Sequence, residues 1–216
     1  MSLNNDLAGI RKDYRLQSLL EKDVDSNAMK QFEIWWHQAI ESKIEEPNAM
    51  TLATSTIEGQ PSARIVLLKG IEPNGFVFFT NYNSRKGKQI QANPKVSLVF
   101  FWKELERQVR VEGSIKKVDS SASDEYFSSR PQQSQIGAWS SPQSEPITSR
   151  EILEKNVEEY TNKFKSQNIP RPEYWGGYIV EPNMIEFWQG RPGRLHDRLQ
   201  YTLNEKKLWT IERLAP

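Results

Sequence analysis

The sequence contains no cysteine among its 216 residues and only two histidines. Without cysteine the chain has no disulfide, no catalytic thiolate, no iron–sulfur cluster and no cysteine-based zinc site. With His37 and His196 as its only imidazoles, it is not expected to build a multi-histidine metal centre either. We therefore expect no bound metal, and the lack of cysteine is typical of a cytoplasmic protein.

The chain also lacks an excess of charge of one sign and a long apolar run. Its formal net charge is +1 with 26% charged residues, which does not favour a nucleic-acid partner. The longest apolar run, residues 96–102, is far too short to span a bilayer. Residues 1–27 are polar and have no apolar signal-peptide core. We expect neither nucleic acid nor a membrane as partner.

Hydrophobic periodicity predicts one helix, then a β-rich block, then further helices and strands. Met29, Phe32, Trp36, Ile40 and Ile44 recur at helical spacing and predict a helix that begins near Ser26 or Asn27 and stops before Pro47. Strands are expected at residues 49–55, 63–68, 76–80, 95–102, 108–118, 175–180, 184–188, 195–202 and 208–211, and helices at 84–92, 121–129 and from a capping box at 148–151.

This order of elements indicates a mainly β, antiparallel fold with flanking helices (α+β), a barrel more than a parallel sheet. Residues 1–27 are interpreted as a mobile N-terminal arm and residues 28–216 as a single domain. Residues 128–149 are rich in Ser, Gln and Pro, a composition typical of a linker. The apolar patch at residues 136–139 inside this segment instead predicts an ordered, buried loop.

The most informative stretch is residues 186–198. An apolar and aromatic run leads into a glycine-bounded turn, and Arg194, His196 and Arg198 follow at alternating positions. On a β-strand these three side chains share a face, where their charges repel one another unless an anion binds there. The alternative interpretation is a solvated surface strand.

Two further groups of cations could hold phosphate. Ser84 is a good N-cap, yet Arg85 and Lys86 occupy the first turn of the helix it opens, where they oppose the helix dipole and favour an anion. Tyr126 and Arg130 stand at i and i+4 on a predicted helix. Ser134 follows in the next turn after Pro131, so that these side chains could surround a second phosphate. A solvent-screened turn and a capped helix end are the respective alternatives.

Arg64 and Lys69 lie toward the two ends of an apolar strand. Strict alternation places them on opposite faces, so they serve different ligands or one is a surface charge. No dinucleotide, P-loop or nucleophile–His–acid pattern is present, so redox chemistry would need an organic cofactor. Two anion sites and tryptophan-rich walls suit a phosphorylated aromatic cofactor and a phosphorylated substrate.

These same stretches, in order, closely resemble the pyridoxine (pyridoxamine) 5′-phosphate oxidase family over nearly the whole chain, from Arg11 to Pro216. The resemblance implies an FMN-binding split β-barrel homodimer, with FMN at the subunit interface. Its most specific pieces are residues 64–69, 81–86, 106–109, 129–131, 134–139, 187–190 and 194–198.

The resemblance also implies roles for individual residues, with Arg194 and His196 as the catalytic pair. Residues 11–14 resemble a mobile segment that closes over the substrate, although Lys12 stands where Arg is common. FMN contacts are implied for Arg64, Val66, Leu67, Lys69, Phe79, Thr80, Arg85, Lys86, Gln108, Gln143, Ser144, Trp188 and Arg198. Substrate contacts are implied for Arg11, Tyr14, Lys69, Tyr126, Arg130, Ser134, Arg194 and His196.

The activity implied is the oxidation of pyridoxamine and pyridoxine 5′-phosphate by O2 to pyridoxal 5′-phosphate, in vitamin B6 biosynthesis or salvage. Hydrogen peroxide is released, with ammonia from the amine. A flavin reductase that uses a nicotinamide donor is one alternative on the same barrel. A flavin- or pyridoxal-phosphate-binding carrier without turnover is the other.

Overall fold

Nine strands and five α-helices make up the part of the chain that this computed structural model describes, residues 13–216. Arg11 and Lys12 lie outside the described residues. The helices are α1 (Ala28–Glu41), α2 (Arg85–Ala92), α3 (Ser120–Ser129), α4 (Gln132–Ser140) and α5 (Glu151–Lys163). The strands are β1 (Ala49–Ser55), β2 (Pro61–Leu67), β3 (Gly70–Glu72), β4 (Gly75–Asn81), β5 (Lys95–Trp102), β6 (Arg107–Lys117), β7 (Trp175–Gln189), β8 (Asp197–Leu203) and β9 (Trp209–Arg213).

The strands form one sheet in the order β2-β1-β5-β6-β7-β4-β3, and β8 pairs with both β7 and β9. Each pairing with a described register is antiparallel. The predicted fold class, an antiparallel sheet with flanking helices, is therefore confirmed. No helix within residues 13–216 is long and apolar enough to cross a bilayer.

The chain divides into two compact units. The first comprises the described part of Met1–Pro47 together with Val99–Glu112 and Asn183–Pro216. In it, β7 pairs with β8 from Met184↔Thr202 to Gln189↔Asp197. Its core is aromatic, because the buried ring of Phe32 packs 5.1 Å from Phe100 and 6.0 Å from Trp102.

The second unit comprises Asn48–Leu98 and Gly113–Pro182. Here β1 pairs with β2 from Ala49↔Leu67 to Ser55↔Pro61, and β4 pairs with β7 from Phe76↔Val180 to Asn81↔Trp175. The helices α3, α4 and α5 cover a cluster of buried side chains, namely Phe127, Ile136, Phe164, Ile169 and Trp175.

The predicted apolar face of α1 is wrong in part. Asn27 caps the helix as expected, and its Oδ1 accepts the N–H of Met29 at 2.9 Å. The buried face runs through Phe32 and Trp35, whereas Ile40 is 49% exposed. Because each residue turns the helix by about 100°, a face centred on Phe32 and Trp35 points Ile40 away from the core. The helix also ends at Glu41, earlier than its apolar spacing indicated.

The segment predicted as a buried loop at residues 136–139 is instead part of α4. Ile136 is buried as expected, but it is buried on a helix that begins directly after Pro131. The predicted capping box does not form either. The α5 helix begins at Glu151, and Arg150 at its N-cap makes no side-chain capping bond.

Two strands also differ from prediction. The short strand β3 was not predicted, and β7 is continuous through Pro182 where two separate strands were expected. Proline lacks the N–H that a ladder uses, which made a break at this point the ordinary expectation.

Candidate active site

In the second unit, cations cluster at the start of α2. Ser84 caps the helix as predicted, its Oγ accepting the N–H of Gly87 at 3.3 Å. Helix geometry leaves the N–H groups of Arg85 and Lys86 without an intrahelical partner. The Lys86 ammonium donates to Thr80 Oγ1 and Gln143 Oε1, both at 3.2 Å. The strand end of β4, the start of α2 and the loop at Gln143 thus converge on one ammonium group.

Arg64 joins this cluster from β2. Its guanidinium donates only to neutral acceptors, which include Leu52 O at 3.1 Å and Thr54 Oγ1 at 2.6 Å. Within residues 13–216, no carboxylate forms an ion pair with Arg64, Arg85 or Lys86.

The pKa values of this cluster are lowered first by burial and second by neighbouring positive charge. Burial lowers the pKa of Lys86, and the charge of Arg64 lowers it further. Burial likewise lowers the pKa of Arg64, with a further contribution from Arg85. An anion with several negative oxygens would relieve this repulsion and accept the free helix N–H groups, so the cluster is a candidate phosphate site.

A cleft of about 640 Å³ lies elsewhere in the second unit. Lys69 and Tyr126, two of the predicted substrate residues, both line it, together with Phe79. Phe79 and Tyr126 stack with ring centroids 3.9 Å apart, and Trp175 lies parallel to Phe79 at 5.6 Å. The cleft therefore combines flat aromatic surfaces with the ammonium of an exposed lysine.

Arg130 lies beside the same aromatic rings. Its guanidinium carbon sits 4.6 Å from the centre of the Trp175 ring, and burial lowers its pKa. Its Nη1 atom is buried and has no hydrogen-bond partner among residues 13–216. A buried guanidinium N–H without a partner is costly unless a ligand accepts from it, so Arg130 fits the role of binding an anionic oxygen.

The predicted helical pairing of Tyr126 and Arg130 is wrong in geometry. The α3 helix ends at Ser129, and Arg130 has an extended backbone with φ −74° and ψ 149°. Tyr126 and Arg130 are nevertheless brought together, because both pack against the ring of Trp175. Ser134 lies in the first turn of α4 and is half-buried.

The alternation argument for Arg64 and Lys69 also fails. The β2 strand ends at Leu67, and the Lys69 N–H bonds Val77 O at 2.8 Å, across to β4. Arg64 lies on β2, whereas Lys69 follows the end of that strand and bonds to β4, so the two residues do not lie on one strand. Val66 and Leu67 are half-buried on β2.

In the first unit, the stretch after β7 does not continue as the predicted strand. Arg194 lies in a 3-10 turn at φ +63°, His196 lies in the following loop, and β8 begins only at Asp197. The three cations therefore do not share a strand face. Gly193, also at positive φ, forms this turn, and the exposed Arg194 follows it.

His196 instead belongs to an aromatic group with Tyr14 and Trp188. Its ring lies 4.6 Å from Trp188 and 5.9 Å from Tyr14. Its Nδ1 accepts the backbone N–H of Arg191 at 3.1 Å, which leaves Nε2 as the other ring nitrogen for a ligand. Burial lowers the pKa of His196, and the charge of Arg194 lowers it further, so both effects favour the neutral imidazole.

Arg198 has an anionic partner within the chain itself. Glu186, a buried carboxylate on β7, accepts from Arg198 Nε at 2.8 Å and from Nη2 at 3.1 Å. It also accepts from Arg110 Nη2 at 2.8 Å. Glu186 was not predicted as a site residue. The available signal was a single carboxylate inside an apolar strand, which is typical of a buried residue that pairs with a cation. Gln108, another predicted FMN residue, is half-buried on β6.

These features fit the group that the resemblance implied. The α2 cluster has cations and free N–H groups of the kind that a phosphate accepts, and Gln143 and Ser144 lie in the loop beside it. Trp188 and Arg198 offer an aromatic ring and a fixed guanidinium of the kind that a flavin ring accepts.

The family model "Pyridoxamine 5′-phosphate oxidase" matches residues 36–164, and "Pyridoxine 5′-phosphate oxidase C-terminal dimerisation region" matches residues 175–216. The chain belongs to this oxidase family. It is an oxidoreductase that uses FMN, and the dimerisation region supports a homodimer.

Curated relatives match the full length of the chain. The pyridoxine/pyridoxamine 5′-phosphate oxidase of Trichormus variabilis is 56% identical over 214 residues, covering 99% of this chain and 100% of that protein. The protein of the same name from Cupriavidus taiwanensis is 54% identical over 210 residues, covering 97% and 99%.

Solved structures share the fold. PhzG from Burkholderia lata 383, in complex with tetrahydrophenazine-1-carboxylic acid, superposes with a TM-score of 0.87 at 28% identity, covering 93% of this chain and 99% of PhzG. A pyridoxamine 5′-phosphate oxidase-related, FMN-binding protein from Nostoc punctiforme superposes with a TM-score of 0.70 at 18% identity, covering 89% and 100%. The second similarity concerns the fold alone.

Proposed function

We propose that this oxidase converts pyridoxamine 5′-phosphate and pyridoxine 5′-phosphate to pyridoxal 5′-phosphate, with O2 as the electron acceptor. For the amine, substrate, O2 and water give aldehyde, ammonia and hydrogen peroxide. For the alcohol, substrate and O2 give aldehyde and hydrogen peroxide. FMN, when bound, supplies the two-electron oxidant for the C4′ carbon of the substrate.

The observation that carries this proposal is that two places in the second unit, the start of α2 and the surroundings of Arg130, hold cations with no carboxylate partner among residues 13–216. Arg64, Arg85 and Lys86 would hold the FMN phosphate at the start of α2. Arg130, with its buried unpartnered Nη1, would hold the substrate phosphate with Lys69, Tyr126 and Ser134. A reaction between a phosphorylated cofactor and a phosphorylated substrate needs two such sites.

Arg194 and His196 would act at the reactive end of the substrate. His196 offers its Nε2 for a hydrogen bond, and the exposed Arg194 can orient the amine or assist removal of its proton. Tyr14 and Trp188 would enclose the pyridine ring and flavin with aromatic surface and exclude water. Arg11, outside the described residues, remains a proposed substrate contact.

We further propose that FMN lies at the interface of the homodimer, where groups from both protomers contact it. Val66, Leu67, Phe79, Gln108 and Ser144 would supply the remaining FMN contacts.

The test is a product assay on the FMN-loaded protein. We expect pyridoxamine 5′-phosphate to give pyridoxal 5′-phosphate, hydrogen peroxide and ammonia in equal amounts. A tetrahydrophenazine carboxylic acid, the ligand class bound by PhzG, serves as the competing donor, because it carries a carboxylate in place of the phosphate. Turnover of that donor without turnover of pyridoxamine 5′-phosphate would contradict the proposed substrate.

A further inference from the structure

Residues 13–19, here called the strap, run along the first unit without regular secondary structure. The ring of Tyr14 meets Trp188 edge-on at 5.7 Å and lies 5.9 Å from His196. The strap thus carries an aromatic side chain onto two residues of the candidate site. A segment without helix or strand has few backbone hydrogen bonds within itself, so other parts of the chain must hold Tyr14 in this position.

Glu106 holds the strap at the residues next to Tyr14. It lies in the turn between β5 and β6 at φ +56°, and it is only 3% exposed. Its Oε2 accepts the backbone N–H of Arg15 at 2.8 Å and that of Leu16 at 3.2 Å. Hydrogen bonds to a carboxylate are about twice as strong as neutral ones, so one buried side chain fixes two consecutive peptide groups.

Gly190 provides the space that the Tyr14 ring occupies. A Cβ atom at Gly190 would lie 2.6 Å from Tyr14 Cγ and 2.8 Å from Tyr14 Cβ, closer than real Cβ contacts. The Gly190 N–H also donates to Glu106 O at 2.8 Å. The backbone of Glu106 therefore holds Gly190, against which the Tyr14 ring packs. Its side chain holds the strap residues next to Tyr14.

The far end of the strap is anchored as well. The Leu19 N–H donates to Asp197 Oδ2 at 3.1 Å, and the Leu19 side chain is buried. Arg191 Nη1 donates to Gln17 O at 3.1 Å. Both anchors flank His196 in sequence, so the strap is tied to the segment that carries His196.

We infer that Glu106 and Gly190 are positioning residues that seat Tyr14 against Trp188 and His196, so that Tyr14 forms one wall of the substrate pocket. This inference rests on the proposed function for its effect on substrate. Neither residue is among the proposed substrate contacts. Loosening the strap lowers the fraction of enzyme with a complete pocket, which weakens substrate binding more than it slows the chemical step.

The test compares E106A, E106Q and G190A with E104Q, an exposed carboxylate of the same turn. All are full-length and FMN-loaded. Hydrogen exchange of peptides covering residues 13–19 should be about tenfold faster in E106A and G190A. E106Q should fall between E106A and the unmodified protein, because its amide oxygen still accepts both N–H groups but carries no charge, and E104Q should be unchanged. KM for pyridoxamine 5′-phosphate should rise about three- to tenfold in E106A and G190A, with kcat and the FMN Kd within about twofold.

A double-mutant cycle separates positioning from general destabilisation. If Glu106 acts through Tyr14, E106A should raise KM no further in a Y14A background. Additive effects would overturn the inference, as would unchanged strap exchange in both E106A and G190A. Faster exchange with unchanged KM would overturn the role in substrate binding. A failure to oxidise pyridoxamine 5′-phosphate would contradict the proposed function. The hydrogen-exchange measurement needs no turnover, so it would still decide whether Glu106 holds the strap.

Discussion

Arg130 is the candidate ligand-binding side chain with the clearest unsatisfied group, because its buried Nη1 has no hydrogen-bond partner in the described part of the chain. We expect R130K to raise the KM for pyridoxamine 5′-phosphate about ten- to hundredfold, since lysine cannot reproduce a planar guanidinium contact to phosphate. Pyridoxamine without its phosphate is the control, and its kcat/KM should not change. An equal fall in kcat/KM for both substrates would show that Arg130 does not bind the phosphate.

His196 gives a pH-dependent expectation with a defined sign. Its pKa lies below 6.5, first because of burial and second because of the Arg194 charge, so it gains a proton only as pH falls below that value. R194A removes a positive neighbour and should therefore raise the pKa of His196. NMR titration in an H37Q background, which leaves one imidazole, measures this directly. A midpoint above 6.5, or one that R194A leaves in place, would contradict the expectation.

Several site residues could be predicted as individual positions while their geometry could not. The sequence shows Arg194, His196 and Arg198 at alternating positions, but the positive φ of Gly193 and Arg194 delays the strand until Asp197. The partner of Arg198, which lies on β8, is Glu186 on the neighbouring strand β7. Local spacing does not report such a pairing.

Among the elements, α2 was predicted best because its signals are local. Ser84 caps its start, and Asn93 and Pro94 stop it. The face of α1 and the helix α4 were predicted less well, because the neighbours that bury Trp35 and Ile136 come from distant parts of the chain. Ser, Gln and Pro describe a linker by composition, yet tertiary burial of Ile136 overrides that tendency.

The close packing at the start of α2 gives a stability expectation. A Cβ at Gly87 would lie 2.0 Å from Tyr82 O, so G87A must displace backbone at the start of α2. We expect a loss of about 2–4 kcal/mol in the free energy of unfolding, and weaker FMN retention. G137A is the matched control, because a Cβ there meets nothing within 4 Å. Equal melting temperatures for the two variants would contradict this packing.

For the molecule as a whole, the antiparallel fold follows from strand patterns, but assembly does not. Isoleucine and leucine side chains such as Ile65, at 64% exposure, and Leu208, at 61%, remain on the surface of one chain. The sequence does not say which of them a second copy covers. The family comparison identifies the dimerisation region at residues 175–216, and no apolar stripe in the sequence predicted it.

The proposed interface position of FMN gives an expectation for mixed dimers. K86Q and R198A homodimers should each bind FMN poorly. If FMN takes contacts from both protomers, unfolding and refolding them together should restore about a quarter of the unmodified activity, because half the dimers are mixed and each has one intact site. Activity no greater than that of the separate variants would show that one protomer supplies both contacts.

The most direct test of the account is anaerobic mixing of the FMN-loaded protein with pyridoxamine 5′-phosphate while the flavin absorbance is followed. We expect the yellow colour to bleach, and to recover with one equivalent of hydrogen peroxide when air is admitted. A flavin that stays oxidised with pyridoxamine 5′-phosphate but bleaches with NADPH would contradict the account and indicate a flavin reductase on the same fold.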